Sequence, residues 1–319
     1  MSRLPKFVVL ANLPAEQRDW FEPLREQVQL VFGADIAHIA ADLANAEALY
    51  VWGHPHDPWD QLLGAAPALR WVHYTGAGAE HLLTPRFLRS RIRLTNSRGV
   101  HTAGVAELAI ALLLGLAKHL PNRVRAQAAH EWSQELNAGV YGKTILVIGL
   151  GSVGSAVARA ARGLGMYVIG VRRSPRPARW ANEVVSLDAL DGVLSRADYV
   201  VLCAPETAAT HGLMDASRLR RMQRGAMLVN VARGGLVDEP ALIDALRDGH
   251  LGGAGLDVFV HEPLDRRSPL WDLPNVLITP HYPNVEGWER PTVQRFIDNA
   301  QRFLAGRPLH DLIDKRRGY

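Results

Sequence analysis

One cysteine among 319 residues excludes an internal disulfide framework and fits a reducing compartment. Cys203 closes the apolar run Tyr199-Val-Val-Leu-Cys203, the setting of a small buried hydrophobe rather than a nucleophile. Long apolar stretches are also missing. The longest, 109–117, falls far short of the roughly 20 residues of a membrane span. Lys6-Phe-Val-Val-Leu10 leads straight into Asn12 and Pro14, too short for a secretory leader, so no signal peptide is expected and the chain is placed in the cytoplasm. Charge of one sign is scarce as well. Lys+Arg number 36 against 32 Asp+Glu, a net of +4 with no dense basic block. That favours ordinary surface charge over nucleic-acid binding, with a mild positive field that helps gather anions. No short repeat or low-complexity tract is visible, which removes the solenoid classes.

What is present is an ordinary globular composition, 48% apolar and 21% charged, at a length of about two domains. Short apolar runs alternate with amphipathic pieces. Candidate strands are 7–10, 28–32, 49–52, 69–73 and 92–94, then 145–148, 167–171, 199–202, 226–231, 255–258 and 276–278. Candidate helices include 16–25, 59–63 and 292–304. Such alternation predicts parallel sheets covered by helices on both faces, an α/β fold. The stretch 105–120 is apolar nearly all round and is expected to be buried on several sides, in an interdomain core or a two-fold interface.

The densest signal is Thr144-Ile-Leu-Val-Ile148 followed at once by Gly149-Leu-Gly-Ser-Val-Gly154 and a helical spacing of apolar residues up to Leu164. This is a strand–turn–helix with a glycine fingerprint. Gly149 permits the tight turn, Gly151 lets backbone approach a pyrophosphate, and Gly154 lets helix and strand pack closely. Free N–H groups at the helix start, with Ser152 and Val153 in its first turn, favour an anion. About 20 residues after the glycines, where an NAD site usually carries an acid, the chain has Arg172, Arg173 and Ser174. Two guanidinium groups suit a 2′-phosphate, which favours NADP(H), with NAD(H) as the other option; the alternative is a pair of solvated loop arginines.

Three ionisable residues follow three successive late strands: Arg233, Glu262 and His281. In open parallel sheets ligands bind beyond the carboxyl ends of the strands. Hydride transfer to a ketone needs a proton donor for the developing alkoxide. A histidine suits that task, a carboxylate beside it favours its protonated form and fixes its orientation, and a guanidinium fork holds a substrate carboxylate. Singly, each residue also fits a structural role: a turn cap, a loop acid, a packed ring.

These motifs resemble the D-isomer-specific 2-hydroxyacid dehydrogenases. The matching pieces are Gly149-Leu-Gly-Ser-Val-Gly154, Leu228-Val-Asn-Val-Ala-Arg-Gly-Gly-Leu-Val-Asp238, Gly255-Leu-Asp-Val-Phe259 with Glu262-Pro-Leu264, Thr279-Pro-His281, Thr75-Gly-Ala-Gly78 and the stretch 96–120. They span nearly the whole chain. The resemblance implies two doubly wound parallel-sheet domains. A Rossmann-type dinucleotide domain, 98–285, is inserted in a flavodoxin-like substrate domain made of 1–97 and 286–319. It further implies Arg233 as the 2-oxoacid anchor, His281 as the acid/base and Glu262 as its partner. Asp257 would meet the nicotinamide carboxamide, with Ala204, Pro205, Thr210, Val231 and Ala232 completing the cofactor site. Backbone at Thr75, Gly76, Ala77 and Gly78 would hold the substrate carboxylate, with Val51, Trp52 and Gly53 nearby. A homodimer through the helix near 105–120 is implied too.

Within the family the chain is most similar to glyoxylate/hydroxypyruvate reductases, by the tail Ile313-Asp-Lys-Arg-Arg-Gly-Tyr319 and by arginines in place of the ribose acid. Trp132 either packs in an interface or reaches a partner's substrate pocket. Tyr282-Pro283-Asn284 departs from the small residue and glycine usual after the family's histidine, which bears on substrate choice. Glu262 argues against the formate-dehydrogenase branch, which usually has Gln there. His54 and His56 lack a further ligand set at a recognised spacing and read as a polar loop, so no metal is expected. Two other activities use the same residues: a nicotinamide-sensing, corepressor-like binding protein, and oxidation of an inorganic donor such as phosphite.

Overall fold

The structure is a computed structural model that describes residues 3–52, 59–132, 134, 136–282 and 284–318. The chain divides into two compact units. The terminal unit joins Met1–His101 to Val285–Tyr319, and the central unit is Thr102–Asn284.

In the terminal unit, strands β1 (Lys6–Leu10), β2 (Gln29–Gly33), β3 (Ala46–Val51), β4 (Trp71–Tyr74) and β5 (Arg93–Asn96) form one parallel sheet. Its order is β2-β1-β3-β4-β5, the flavodoxin-like arrangement. Strands β1 and β4 are buried along their whole length, as expected when helices cover both faces. On one face Phe7, Phe21, Tyr50, Trp71 and Phe296 meet edge-to-face and stacked. Phe296 comes from the helix Glu289–Leu304, so the C-terminal segment completes the core begun by the N-terminal one.

In the central unit, β6 (Thr144–Ile148), β7 (Tyr167–Val171), β8 (Glu183–Val185), β9 (Tyr199–Leu202), β10 (Met227–Asn230), β11 (Gly253–Leu256) and β12 (Val276–Ile278) pair in parallel. The order β12-β11-β10-β9-β6-β7-β8 reads outward in both directions from β6, the Rossmann pattern with one added edge strand. The helix Thr102–Ala117 packs on this sheet. Leu112 and Leu116 lie over Gly255 and Gly253, and Leu277 lies against Gly115.

Several boundaries differ from the sequence reading. The helix expected across 16–25 is a short turn, Ala15–Arg18, followed by a 3₁₀ segment, Asp19–Leu24, that contains Pro23. Proline removes a helix donor and clashes with the preceding turn. The apolar stretch 105–120 does not run as one helix. It stops at Ala117, His119 takes a left-handed φ of 53°, and a second helix, Leu120–Ala128, leaves at 68° with Pro121 in its first turn. Among the described residues no single helix is long and apolar enough to cross a membrane. Strand β11 starts at Gly253 and ends at Leu256, which sets Asp257 just beyond its carboxyl end.

Candidate active site

The glycine turn is built as its residues demand. Gly149 has φ 99°, and a side chain there would meet the Ala204 backbone N at 2.6 Å. A Cβ on Gly154 would sit 1.8 Å from the Gly149 carbonyl oxygen, so only hydrogen lets the helix Ser152–Gly163 approach the turn. Gly151 differs from both. Beyond its chain neighbours, no atom of the described residues lies within 4 Å of the place its Cβ would take, and it heads the helix without a side-chain cap. Open space above uncapped N–H groups fits a pyrophosphate. Gly170 in β7 makes room for Leu150, whose Cδ1 would lie 2.3 Å from a Cβ.

The other cofactor candidates stand at the carboxyl ends of neighbouring strands of this sheet. Arg172, Arg173 and Ser174 follow β7; Arg172 is half-buried and donates its backbone N–H to Val185, while Arg173 and Ser174 are exposed. Ala204 and Pro205 follow β9. The hydroxyl of Thr210 donates to the Pro205 carbonyl at 2.7 Å and accepts from the Thr207 N–H at 2.8 Å, so Thr210 braces this loop from within. Burial pushes the neighbouring Cys203 thiol up to about 12, the state of an inert thiol. Val231 and Ala232 follow β10 and are buried.

Arg233 is carried by a loop that Asn230 holds from two sides. The Asn230 amide donates to the Arg233 carbonyl at 2.8 Å and accepts from the Ala232 N–H at 3.0 Å. Gly234 lets this loop lie against the Phe259–Val260 backbone, 1.9 Å from a would-be Cβ. The Arg233 Nη1 donates to the Ala232 carbonyl at 2.6 Å.

On the next strand, Asp257 is 1% exposed and accepts the Thr279 hydroxyl at 2.6 Å. Glu262 follows, accepting the Phe259 N–H on Oε1 at 2.9 Å and meeting His281 Nδ1 on Oε2 at 2.7 Å. Burial pushes the Glu262 carboxyl up. The hydrogen bond from His281, the Phe259 N–H and the charges of His281 and Arg233 outweigh it and hold the group below its ordinary value. A carboxylate only accepts, so Nδ1 of His281 carries the shared hydrogen and Nε2 is the atom left for chemistry. His281 sits at φ 49°, an uncommon conformation for a non-glycine residue that marks a constrained position. Its ring is 31% and Glu262 35% exposed, so both groups are partly open to water. Glu262 and His281 are thus in contact, and the Arg233 charge reaches Glu262.

In the terminal unit, Val51 is fully buried and its carbonyl accepts the Thr75 N–H at 3.0 Å. Trp52 is half-buried just past β3. Thr75, Gly76, Ala77 and Gly78 follow β4. A Cβ on Gly76 would meet the Tyr74 ring at 2.4 Å, and the Ala77 carbonyl accepts the Asn96 amide. Gly53, His54 and His56 lie outside the described residues, as does Pro283. Tyr282 is exposed. Among the described residues no group of three His, Cys, Asp or Glu is arranged to hold a metal.

Sequence reasoning missed Asn230 and Thr279. Each is a polar residue at the end of an apolar strand, and that was the available signal.

Comparison with known proteins bears on this geometry. Residues 110–283 match the family model described as D-isomer specific 2-hydroxyacid dehydrogenase, NAD binding domain. A glyoxylate reductase of Korarchaeum cryptofilum is 37% identical over 270 residues, covering 81% of this chain and 80% of that protein. A D-3-phosphoglycerate dehydrogenase of Mycobacterium bovis is 36% identical over 257 residues, but the chain spans only 48% of its length. Among solved structures, a D-isomer specific 2-hydroxyacid dehydrogenase from Xanthobacter autotrophicus in complex with NADPH superposes with TM-score 0.86 at 33% identity, covering 99% of this chain and 100% of that one. An NADPH-dependent glyoxylate/hydroxypyruvate reductase from Sinorhizobium meliloti in complex with NADP gives 0.87 at 28%, with coverage of 99% and 100%. The glycine turn, the ordered strand ends and the joined His281–Glu262 pair agree with these matches, and the chain belongs to the D-isomer specific 2-hydroxyacid dehydrogenase family.

Proposed function

We propose that this chain is an NADPH-preferring reductase of small 2-oxoacids of the glyoxylate and hydroxypyruvate kind, giving D-2-hydroxyacids. The observation that carries the reading is the 2.7 Å bond between His281 and Glu262 at the carboxyl ends of adjacent strands. When bound, the reduced nicotinamide supplies a hydride to the carbonyl carbon. His281 Nε2 gives its proton to the carbonyl oxygen, and Glu262 stabilises the charged ring and fixes its Nδ1 hydrogen. Arg233 is assigned to the 2-oxoacid; the N–H groups of Gly76, Ala77 and Gly78 are assigned to a carboxylate. Gly149, Gly151, Ser152, Val153 and Gly154 take the pyrophosphate. Ala204, Pro205, Thr210, Val231 and Ala232 border the cofactor, Asp257 takes the carboxamide, and Arg172, Arg173 and Ser174 take the 2′-phosphate. The NADPH bound in the Xanthobacter structure and the NADP bound in the Sinorhizobium structure support the last assignment.

The same reading pairs two copies through the helix Thr102–Ala117 and its continuation. Apolar Val105, Leu108 and Leu114 stay half-exposed there, while Val124, Trp132 and Leu136 are exposed, an apolar surface suited to a second copy. The test of function is a steady-state screen of glyoxylate, hydroxypyruvate, pyruvate and phenylpyruvate with both coenzymes. Turnover of the small acids with NADPH is expected. Coenzyme binding without turnover of any 2-oxoacid overturns the reading in favour of a sensing protein.

A further inference from the structure

Three rings remote in sequence gather beside the Thr75 loop. Trp52 leaves the carboxyl end of β3, and its ring lies 4.9 Å from that of Trp288, tilted by 45°. Trp288 stands 5.2 Å from the His101 ring. His101 Nε2 donates to the Thr75 carbonyl at 3.0 Å, a bond whose direction is fixed because a carbonyl only accepts. The main chain at both tryptophans is held. The Trp52 N–H bonds the Leu10 carbonyl at 3.1 Å, and the Trp288 carbonyl accepts the Thr292 hydroxyl at 2.9 Å at the head of the last helix. Both indoles remain half-exposed. His101 Nδ1 is buried with no partner among the described residues. A buried polar atom left unpaired is destabilising, so the histidine is placed there for its ring and its Nε2 bond, not for a complete set of hydrogen bonds.

We infer that Trp288, with Trp52, sets the size of the 2-oxoacid side chain, and that His101 is the positioning residue tying this aromatic wall to the carboxylate-binding loop. The inference rests on the reductase reading, since it takes the 75–78 backbone as the carboxylate anchor. β3 and β4 are neighbours in the sheet, so a substrate held after β4 has the ring pair after β3 at its side. In this inference the two closely spaced indoles restrict that space, so that a hydrogen or a hydroxymethyl group is accepted in preference to a benzyl group. A pocket wall discriminates by volume, typically by about tenfold or more per group excluded.

The experiment compares kcat/KM for phenylpyruvate and glyoxylate in the full chain and in Trp288→Ala. The phenylpyruvate-to-glyoxylate ratio is expected to rise on the order of tenfold or more. Trp288→Phe, which keeps a ring packed on Trp52, is expected to shift the ratio less and in the same direction, and it serves if the alanine variant fails to fold. An unchanged ratio in a folded variant overturns this inference alone. Absence of turnover of every 2-oxoacid by the unaltered chain overturns the reductase reading and this inference with it. For His101, His101→Leu is expected to raise KM for all 2-oxoacids with kcat much less affected, and His101→Gln, which keeps a donor near Nε2, to restore KM. Equal KM values in the unaltered chain and both variants overturn the positioning role.

Discussion

Two histidines show how differently the two units use one side chain. His281, at the edge of the seven-stranded sheet, is partly open to water, bonded to a carboxylate and held at a positive φ. His73, in the middle of β4, is 0% exposed and its ring nitrogens meet hydroxyls, Thr95 on Nδ1 at 2.8 Å and Ser97 on Nε2 at 3.1 Å. Burial, helped by the Arg295 charge, brings His73 down to about 3. A ring among hydroxyls and aromatic faces stays neutral and packs; a ring beside an anion at a strand end can carry and deliver a proton. Position and partner, rather than residue type, separate the packed histidine from the one proposed as acid/base.

That contrast can be broken from either side. The largest effect is expected from His281→Ala, which should lower kcat by about 10²–10⁴-fold while coenzyme affinity and thermal midpoint stay near those of the unaltered chain; kinetics, coenzyme titration and melting curves check it. At His73 the expected effect is on stability. The unfolded chain takes up a proton near 6.5 and the folded one resists until about 3. The folded state therefore binds fewer protons in that window. The His73 contribution is complete above pH 6.5 and is lost as pH falls towards 3, by on the order of 4 kcal/mol. Denaturant midpoints followed across that range should slope less steeply in His73→Phe; equal slopes would contradict the assignment.

Smaller effects sharpen the comparison. Glu262→Gln keeps a hydrogen-bond partner for His281 but removes the charge, and kcat for reduction should fall by roughly ten- to a hundredfold, at the low end of general acid–base effects. Smallest is the coenzyme choice: Arg172→Asp with Arg173→Ala should move the NADPH/NADH ratio of kcat/KM towards NADH by roughly tenfold, the worth of one charged hydrogen bond. An unchanged ratio would return both arginines to the solvated surface.

Much of the central unit was legible because its signals are local. Gly149, Gly151 and Gly154 lie within six residues, and their conformational needs can be read from spacing alone. The strand ends that carry Arg233, Glu262 and His281 follow apolar runs of strand length. Edge strand β8 was illegible. It is three half-buried residues, Glu183–Val185, too short and too mixed to show a period. Pro23 and the left-handed His119 broke helices that hydrophobic spacing had drawn as continuous. The aromatic wall was illegible for a different reason. Trp52, His101 and Trp288 have no shared local pattern, and only the return of the C-terminal helix to the first sheet brings the last of them beside the others.

The Asn230 amide has one more consequence. A primary amide offers a donor and an acceptor on a single planar group, so it clasps the chain on both sides of Ala232 at once; an aspartate in its place would keep only one of those grips. The segment bearing Arg233 is therefore stiff before any ligand arrives. If Arg233 anchors the 2-oxoacid as proposed, the anion meets a guanidinium whose base is already immobilised, and less of the binding energy goes into ordering the chain.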